Sequence, residues 1–140
     1  TRKKIEFYLY NYNYIDTMIK NIITKKINEE YNQSYTRVIK NKSSSLEDLV
    51  IRNINLEQRI SKIKKWQNLI KNIIEEYQRT NNLKYSFIFL KYFKRKNPIV
   101  IENKLNISIK QQKDIKNEIL NYIFFCAIKQ NMLVKEVNYK

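Results

Sequence analysis

The chain contains no glycine among its 140 residues, and this absence limits its turns and its ligand sites more than any other feature. Phosphate-binding P-loops and the dinucleotide-binding fingerprint both need residues without a Cβ atom where the backbone meets phosphate. The sequence also has no histidine and a single cysteine, Cys126. We therefore expect no nucleotide-binding fold of those kinds, no metal site, no cofactor, no disulfide within the chain and no enzymatic activity.

The charge balance points to a polyanionic partner. Lys and Arg number 28 against 13 Asp and Glu, so the formal net charge is +15. A charge of this size in a chain with 43% apolar residues, enough for a core, favours nucleic acid as the partner. No apolar h-region follows the basic start Thr-Arg-Lys-Lys, and no apolar run approaches 18 residues, so we expect neither secretion nor a membrane span. We expect a cytoplasmic, reducing location in which Cys126 is buried.

Hydrophobic periodicity predicts an all-α fold. Apolar residues recur at three- and four-residue steps over 2–31, although the Tyr and Asn density near residue 12 leaves open whether one helix or two form there. The period disappears over 32–45, which predicts a loop. A long amphipathic helix is predicted over 46–80, with Ser45 as its N-cap.

This long helix carries a seven-residue repeat. Its members are Leu49, Leu56, Ile63, Ile70 and Tyr77. Two interpretations stay open: the stripe packs on the preceding helix in an intramolecular hairpin, or it forms the coiled-coil seam of a homodimer through residues 46–80.

Two further helices are predicted before the stretch that carries function. Asn81 and Asn82 end the long helix and are candidate N-caps of the next one, a strongly apolar helix over 83–95. The basic run Lys94, Arg95 and Lys96 closes this helix. Asn97-Pro98 then forms an N-cap followed by a proline in the first helical position, which predicts a short helix over 98–105.

The segment from Asn106 to Gln111 predicts a helix-turn-helix joint. Without glycine, Asn106 is the candidate for the left-handed residue after the short helix. Ile107 is expected to bury its side chain between the two helices. Ser108 and Gln111 match the S-x-x-Q capping box that opens a second helix.

Charge concentrates around this joint. Residues 84–116 hold nine cations and two carboxylates, a net of +7, whereas the long helix nets only +2. The second helix of such a joint places its N-terminal residues against base edges in the major groove, while flanking cations neutralise phosphates. The predicted base-proximal residues are Lys110, Gln111, Lys113 and Asn117. The predicted phosphate contacts are Lys94, Arg95, Lys96 and Lys116.

The aromatic helix before the joint suggests a docking surface. Tyr85, Phe89 and Tyr92 cannot all share the face that holds Ile88 and Leu90. Two interpretations stay open: some of these rings face outward and bind a partner, or they pack beneath the N-terminal segment.

Residues 83–123 resemble region four of the sigma factors, through the run from Phe87 to Phe93 and the sequence Leu105-Asn106-Ile107-Ser108. An N-terminal helical segment with the run Ile5-Glu6-Phe7-Tyr8-Leu9-Tyr10-Asn11-Tyr12 is followed by a long helix that leads into the C-terminal turn. Through these features the whole chain is similar to the phage late-gene transcriptional activators of the RinA and ArpU type. It departs from the pattern where Asn106 replaces the common turn glycine and where the second helix lacks arginine. The resemblance implies a bacterial host cell, a phage promoter and host RNA polymerase as partner.

Three functions follow as alternatives. The first is a sequence-specific regulator of transcription that binds double-stranded DNA, with residues 1–80 as an interaction or dimerisation arm, 81–128 as the DNA-binding domain and 129–140 as a tail. The second is a small-terminase-like DNA-packaging component. The third is a structural helical interaction protein, or one held at a membrane surface by its basic helices.

Overall fold

A computed structural model describes the backbone of residues 1–40 and 45–133 and the side chains of residues 1–32 and 55–133. Every regular element in these ranges is helical, which confirms the predicted all-α class for the part described. The helices are α1 (Arg2–Tyr10), α2 (Ile15–Lys40), α3 (Ser45–Thr80), α4 (Asn82–Ile88), α5 (Pro98–Leu105) and α6 (Ile109–Lys129). A search of the described residues finds no helix long and apolar enough to cross a membrane.

The N-terminal periodic stretch forms two helices. α1 ends at Asn11, whose backbone and side-chain amides both donate to the carbonyl of Phe7, at 3.1 and 2.8 Å. A 3₁₀ turn over Tyr12–Tyr14 then leads into α2. The side chain of Asn11 satisfies a terminal carbonyl and so stabilises the break.

The loop predicted over 32–45 is wrong at its start, because α2 continues to Lys40. Residues 32–40 contain neither glycine nor proline, so loss of the apolar period alone does not end the helix. The remainder of that loop, 41–44, and the tail from residue 134 lie outside the described residues. α3 begins at Ser45, one residue before the predicted start, and ends at Thr80 as predicted. The cap predicted for the side chain of Ser45 lies outside the described side chains.

The aromatic helix is shorter than predicted and changes its winding. Asn81 caps α4 by accepting the amide of Lys84, at 3.2 Å, and a π-helical segment over Phe89–Phe93 continues α4. The amide of Lys96 donates to the carbonyl of Leu90, at 2.9 Å, and Arg95 has a positive φ of 51°. The basic run therefore lies in a turn after the helix rather than in the last helical turn.

The backbone divides into two compact units. The larger unit joins residues 1–13 to residues 65–133, and the smaller one holds the described residues between them, 14–40 and 45–64. The boundary predicted at residue 80 does not coincide with this division. The reason is the packing of α1, which lies on α6 and on the π-helical segment, far along the sequence.

The larger unit has an aromatic and aliphatic core. α5 packs on α4, on α6 and on the π-helical segment, while the ring of Tyr8 stacks on that of Trp66, with centroids 5.2 Å apart. Two members of the seven-residue stripe, Ile70 and Tyr77, are buried here. These two side chains are therefore covered by residues of their own chain. Cys126, expected to be buried, is only partly so.

In the smaller unit, α2 and the first part of α3 line one groove. Its lining includes Ile22 and Lys25 from α2 and Leu56 and Arg59 from α3. Leu56, a member of the stripe, is partly exposed.

Candidate nucleic-acid interface

The joint between α5 and α6 has the local geometry that the sequence predicts. Asn106 is left-handed, with φ 58° and ψ 42°, and its amide donates to the carbonyl of Glu102 at 2.9 Å. Ile107 is buried. Ser108 accepts the amide of Gln111 at 3.1 Å, while the side chain of Gln111 accepts the amide of Ser108 at 2.8 Å. The chain therefore turns in three residues and begins α6 with two of its first amides satisfied.

A buried glutamine that the sequence interpretation missed also ties the two helices together. Gln112 is 6% exposed, and its Nε2 donates to the carbonyl of Pro98 at 2.9 Å. This bond joins the first turn of α6 to the first turn of α5. The sequence does contain a signal for its burial, because Gln112 lies two helical turns before Ile119 and so shares the face of α6 that packs on the core.

Exposed side chains cover the outer face of the first turns of α6. Lys110, Gln111 and Lys113 are all exposed. Neither lysine has an ion-pair partner among the residues whose side chains are described. The capping bond engages the amide oxygen of Gln111, which leaves its amide nitrogen as a donor. This face therefore presents two uncompensated cations and one amide.

α1 contacts the two remaining predicted residues of α6. The Nη1 of Arg2 donates to Oδ1 of Asn117 at 2.8 Å, and its Nη2 donates to Oδ1 of Asn121 at 3.3 Å. Lys116 lies 3.9 Å from a carboxylate oxygen of Glu6. The structure thus separates Lys110, Gln111 and Lys113 from Asn117 and Lys116, which are bonded to α1.

The carboxylate of Glu6 interacts with two lysines and one tyrosine where α1 meets the π-helical segment. Its second oxygen accepts the hydroxyl of Tyr92 at 3.1 Å. Burial lowers the pKa of Lys91, the nearby charge of Lys116 lowers it further, and Glu6 opposes both. Burial, then Glu6, raises the pKa of Tyr92 far above that of a free tyrosine. The carboxylate of Glu6 therefore balances the charges of both Lys91 and Lys116.

The basic turn before α5 is held by aromatic rings and a cap. The guanidinium of Arg95 lies 5.2 Å from the ring centre of Tyr10, and Nζ of Lys94 lies 5.4 Å from that of Phe89. Asn97 accepts the amide of Val100 at 2.9 Å and starts α5. Lys94, Arg95 and Lys96 are all exposed, so their charges face solvent beside the positive end of α5.

The opposite edge of α6 is neutralised by its neighbours. Lys84 pairs with Glu118 at 3.1 Å, and the hydroxyl of Tyr122 donates to Glu76 at 2.8 Å. The hydrogen bond to Glu76, with burial second, raises the pKa of Tyr122 to about 12. This edge is a packing surface.

The three aromatic side chains predicted for docking differ in their exposure to solvent. Tyr92 is fully buried, with its ring centre 4.7 Å from that of Tyr10, so it belongs to the core under α1. Tyr85 is partly buried. Phe89 remains 38% exposed and is the member of the set with an exposed side chain.

In comparison with known proteins, no family model, no curated protein and no solved structure matches the chain. In the described ranges, no three of the His, Cys, Asp and Glu side chains lie close enough together to hold a metal ion. The residues that the sequence interpretation missed are Arg2, Glu6, Gln112 and Asn121.

Proposed function

We propose that this protein regulates transcription by binding double-stranded DNA in a sequence-specific manner, with α5 and α6 as a helix-turn-helix. α6 enters the major groove by its first turns, and Lys110 and Lys113 contact base edges there. Gln111 contributes its amide nitrogen. The observation that carries the proposal is the left-handed turn at Asn106 with the capping box of Ser108 and Gln111, because it fixes α5, α6 and an uncompensated basic face in one arrangement.

The basic turn supports the same docking. In a helix-turn-helix the first helix crosses the DNA backbone, and its N-terminus with flanking cations meets phosphate. Lys94, Arg95 and Lys96 immediately precede α5, whose first turn is bonded to α6 through Gln112. Phosphate neutralisation by this turn would orient α6 on the duplex without reading sequence.

The proposal assigns the effect on transcription to a protein partner. The resemblance to phage activators suggests host RNA polymerase in the cytoplasm of a bacterial cell. Phe89, exposed beside Lys94, is the candidate contact. The groove that α2 and the first part of α3 line supports packing of these two helices within one chain, and Leu56, which is partly exposed there, is the described member of the stripe that remains available for a homodimer.

The experiment is selection of bound duplexes from a random-sequence pool, followed by titration of the selected site. The expected result is one enriched sequence and an affinity that falls as the salt concentration rises. In Lys110→Ala/Lys113→Ala we expect an affinity loss of about 1–3 kcal/mol per base contact on the selected site and a relaxed preference for the bases concerned. Lys71→Ala/Lys62→Ala is the charge-matched control, since both residues are exposed on α3. Base preferences that are the same in the two double variants would reject α6 as the groove-binding element.

Two further measurements separate the proposal from its alternatives. Initiation at a promoter carrying the selected site should rise when the protein is added to host polymerase, and Phe89→Ala should remove that rise even at protein concentrations that saturate the site. Sedimentation reports the oligomer. A ring of eight or more subunits with no effect on initiation would favour DNA packaging instead, and binding to anionic vesicles without DNA affinity would favour the structural alternative.

A further inference from the structure

Arg2 places a guanidinium on the outward face of α6, although α6 itself carries no arginine. Asn117 and Asn121 hold it by their side-chain oxygens. Lys113, Asn117 and Asn121 follow one another at four-residue intervals, so they share one face at steps of about 6 Å along the axis. The guanidinium therefore lies on the same row as a predicted base contact, one to two turns farther along the helix.

This guanidinium keeps its charge and much of its hydrogen-bonding capacity. Its two partners are neutral amides, and no carboxylate pairs with Arg2 among the described residues. Of the five N–H donors of an arginine, the two asparagines use two. Two bonds on separate nitrogens also fix the plane of the group. An exposed, oriented and uncompensated fork of donors is suited to a pair of acceptors.

We propose that Arg2 reads a guanine in the major groove, and that Asn121 is a positioning residue for it. The inference rests on the proposed function, because it requires α6 to enter the groove. Guanine presents O6 and N7 there as adjacent acceptors, and a bidentate arginine is the commonest contact to them. α1 thus supplies to the recognition surface the residue type that α6 lacks.

A purely structural role predicts a different result. If Arg2 only fastened α1 to α6, its loss would lower stability and would weaken binding to all DNA sequences alike. A guanine contact instead affects one position of the site. The measurement is therefore the base preference at each position of the selected duplex, compared between variants that melt within a few degrees of one another.

The variants are Arg2→Ala, Arg2→Lys and Asn121→Ala, with Lys3→Ala as the matched control. Lys3 has the same charge, lies in the same helix and is exposed. Arg2→Ala is expected to lose about tenfold or more of the preference for guanine at one position. Arg2→Lys retains the charge but not the fork, and Asn121→Ala loses the orientation, so both should lose part of that preference at the same position. Lys3→Ala should retain it.

The outcomes separate this inference from the function on which it rests. If the parent protein selects no sequence, both are overturned. If the parent selects a sequence and Arg2→Ala keeps every base preference, only the reading of guanine by Arg2 is overturned. Equal weakening on all sequences by Arg2→Ala would likewise overturn it, and would leave Arg2 as a structural residue between α1 and α6 or as a phosphate contact.

Discussion

The first turns of α6 and the turns that follow relate differently to the rest of the protein. Lys110 and Lys113 are exposed without carboxylate partners in the described residues, whereas the later turns bond to α1, α3 and α4. One edge of those later turns meets Lys84 and Glu76, and the other meets Arg2 and Glu6. On this one helix, the charged side chains of the first turns face solvent, whereas Lys116 and Glu118 in the later turns pair with residues of other helices. The difference indicates that the first turns of α6 present their own cations to a ligand, whereas the later turns hold the fold together and carry the guanidinium of Arg2 from α1.

The largest effect should follow from a core substitution in the later turns. Ile119→Ala removes a fully buried side chain and should lower the free energy of unfolding by about 2–5 kcal/mol. Lys113→Ala, on the exposed start of the same helix, should change it by no more than about 0.5 kcal/mol. Urea denaturation measures both. Comparable losses would show that the two ends of α6 are equally structural.

The turn that begins α6 should be the next most sensitive position. Asn106→Val forces a β-branched residue to a φ of 58° and should cost about 1–3 kcal/mol. Asn106→Gly fits the left-handed region without strain and should melt no lower than the parent. Thermal melts compare the pair. A lower melting temperature for Asn106→Gly would contradict the left-handed assignment.

Loss of the cap at the start of α6 should have a smaller effect. Ser108→Ala leaves the amide of Gln111 without its acceptor and should cost about 1 kcal/mol, while Ser108→Asp should retain the cap. Denaturation midpoints of the two variants test this. If Ser108→Ala weakens the binding of DNA far more than its loss of stability explains, the first turn of α6 takes part in DNA binding itself. The difference between the first and the later turns would then be confirmed.

The smallest effect at neutral pH concerns Tyr122 in the later turns. Its pKa is raised from 10.0 to about 12, so its contribution to stability is fully present below pH 10 and is lost as the pH rises through 12. Tyr122→Phe should therefore flatten the loss of stability between pH 10 and 12. Urea midpoints at pH 8 and pH 11 measure the slope. An unchanged slope in the variant would mean that folding does not raise the pKa of Tyr122.

Local sequence patterns predicted the helix starts and the joint. Asn81, Asn97 and Ser108 each cap through an amide three residues ahead, and Asn106 turns the chain through its own backbone conformation. Such bonds depend on a few adjacent residues, so residue type and spacing suffice to predict them. The same local view placed the loop too early and the end of the aromatic helix too late. It contained no signal for the left-handed Arg95 or for the π-helical segment.

The pairing of α1 with α6 was decided by the tertiary structure. Arg2 and Asn117 are 115 positions apart, Glu6 and Tyr92 are 86 apart, and Glu76 and Tyr122 are 46 apart. No local period or cap relates such residues, because their meeting depends on how the amphipathic faces of all the helices pack together. The sequence by itself therefore determined the all-helical class, the caps and the turn before α6. Only packing decided which of the cations on α6 remain exposed and that an arginine from α1 joins them.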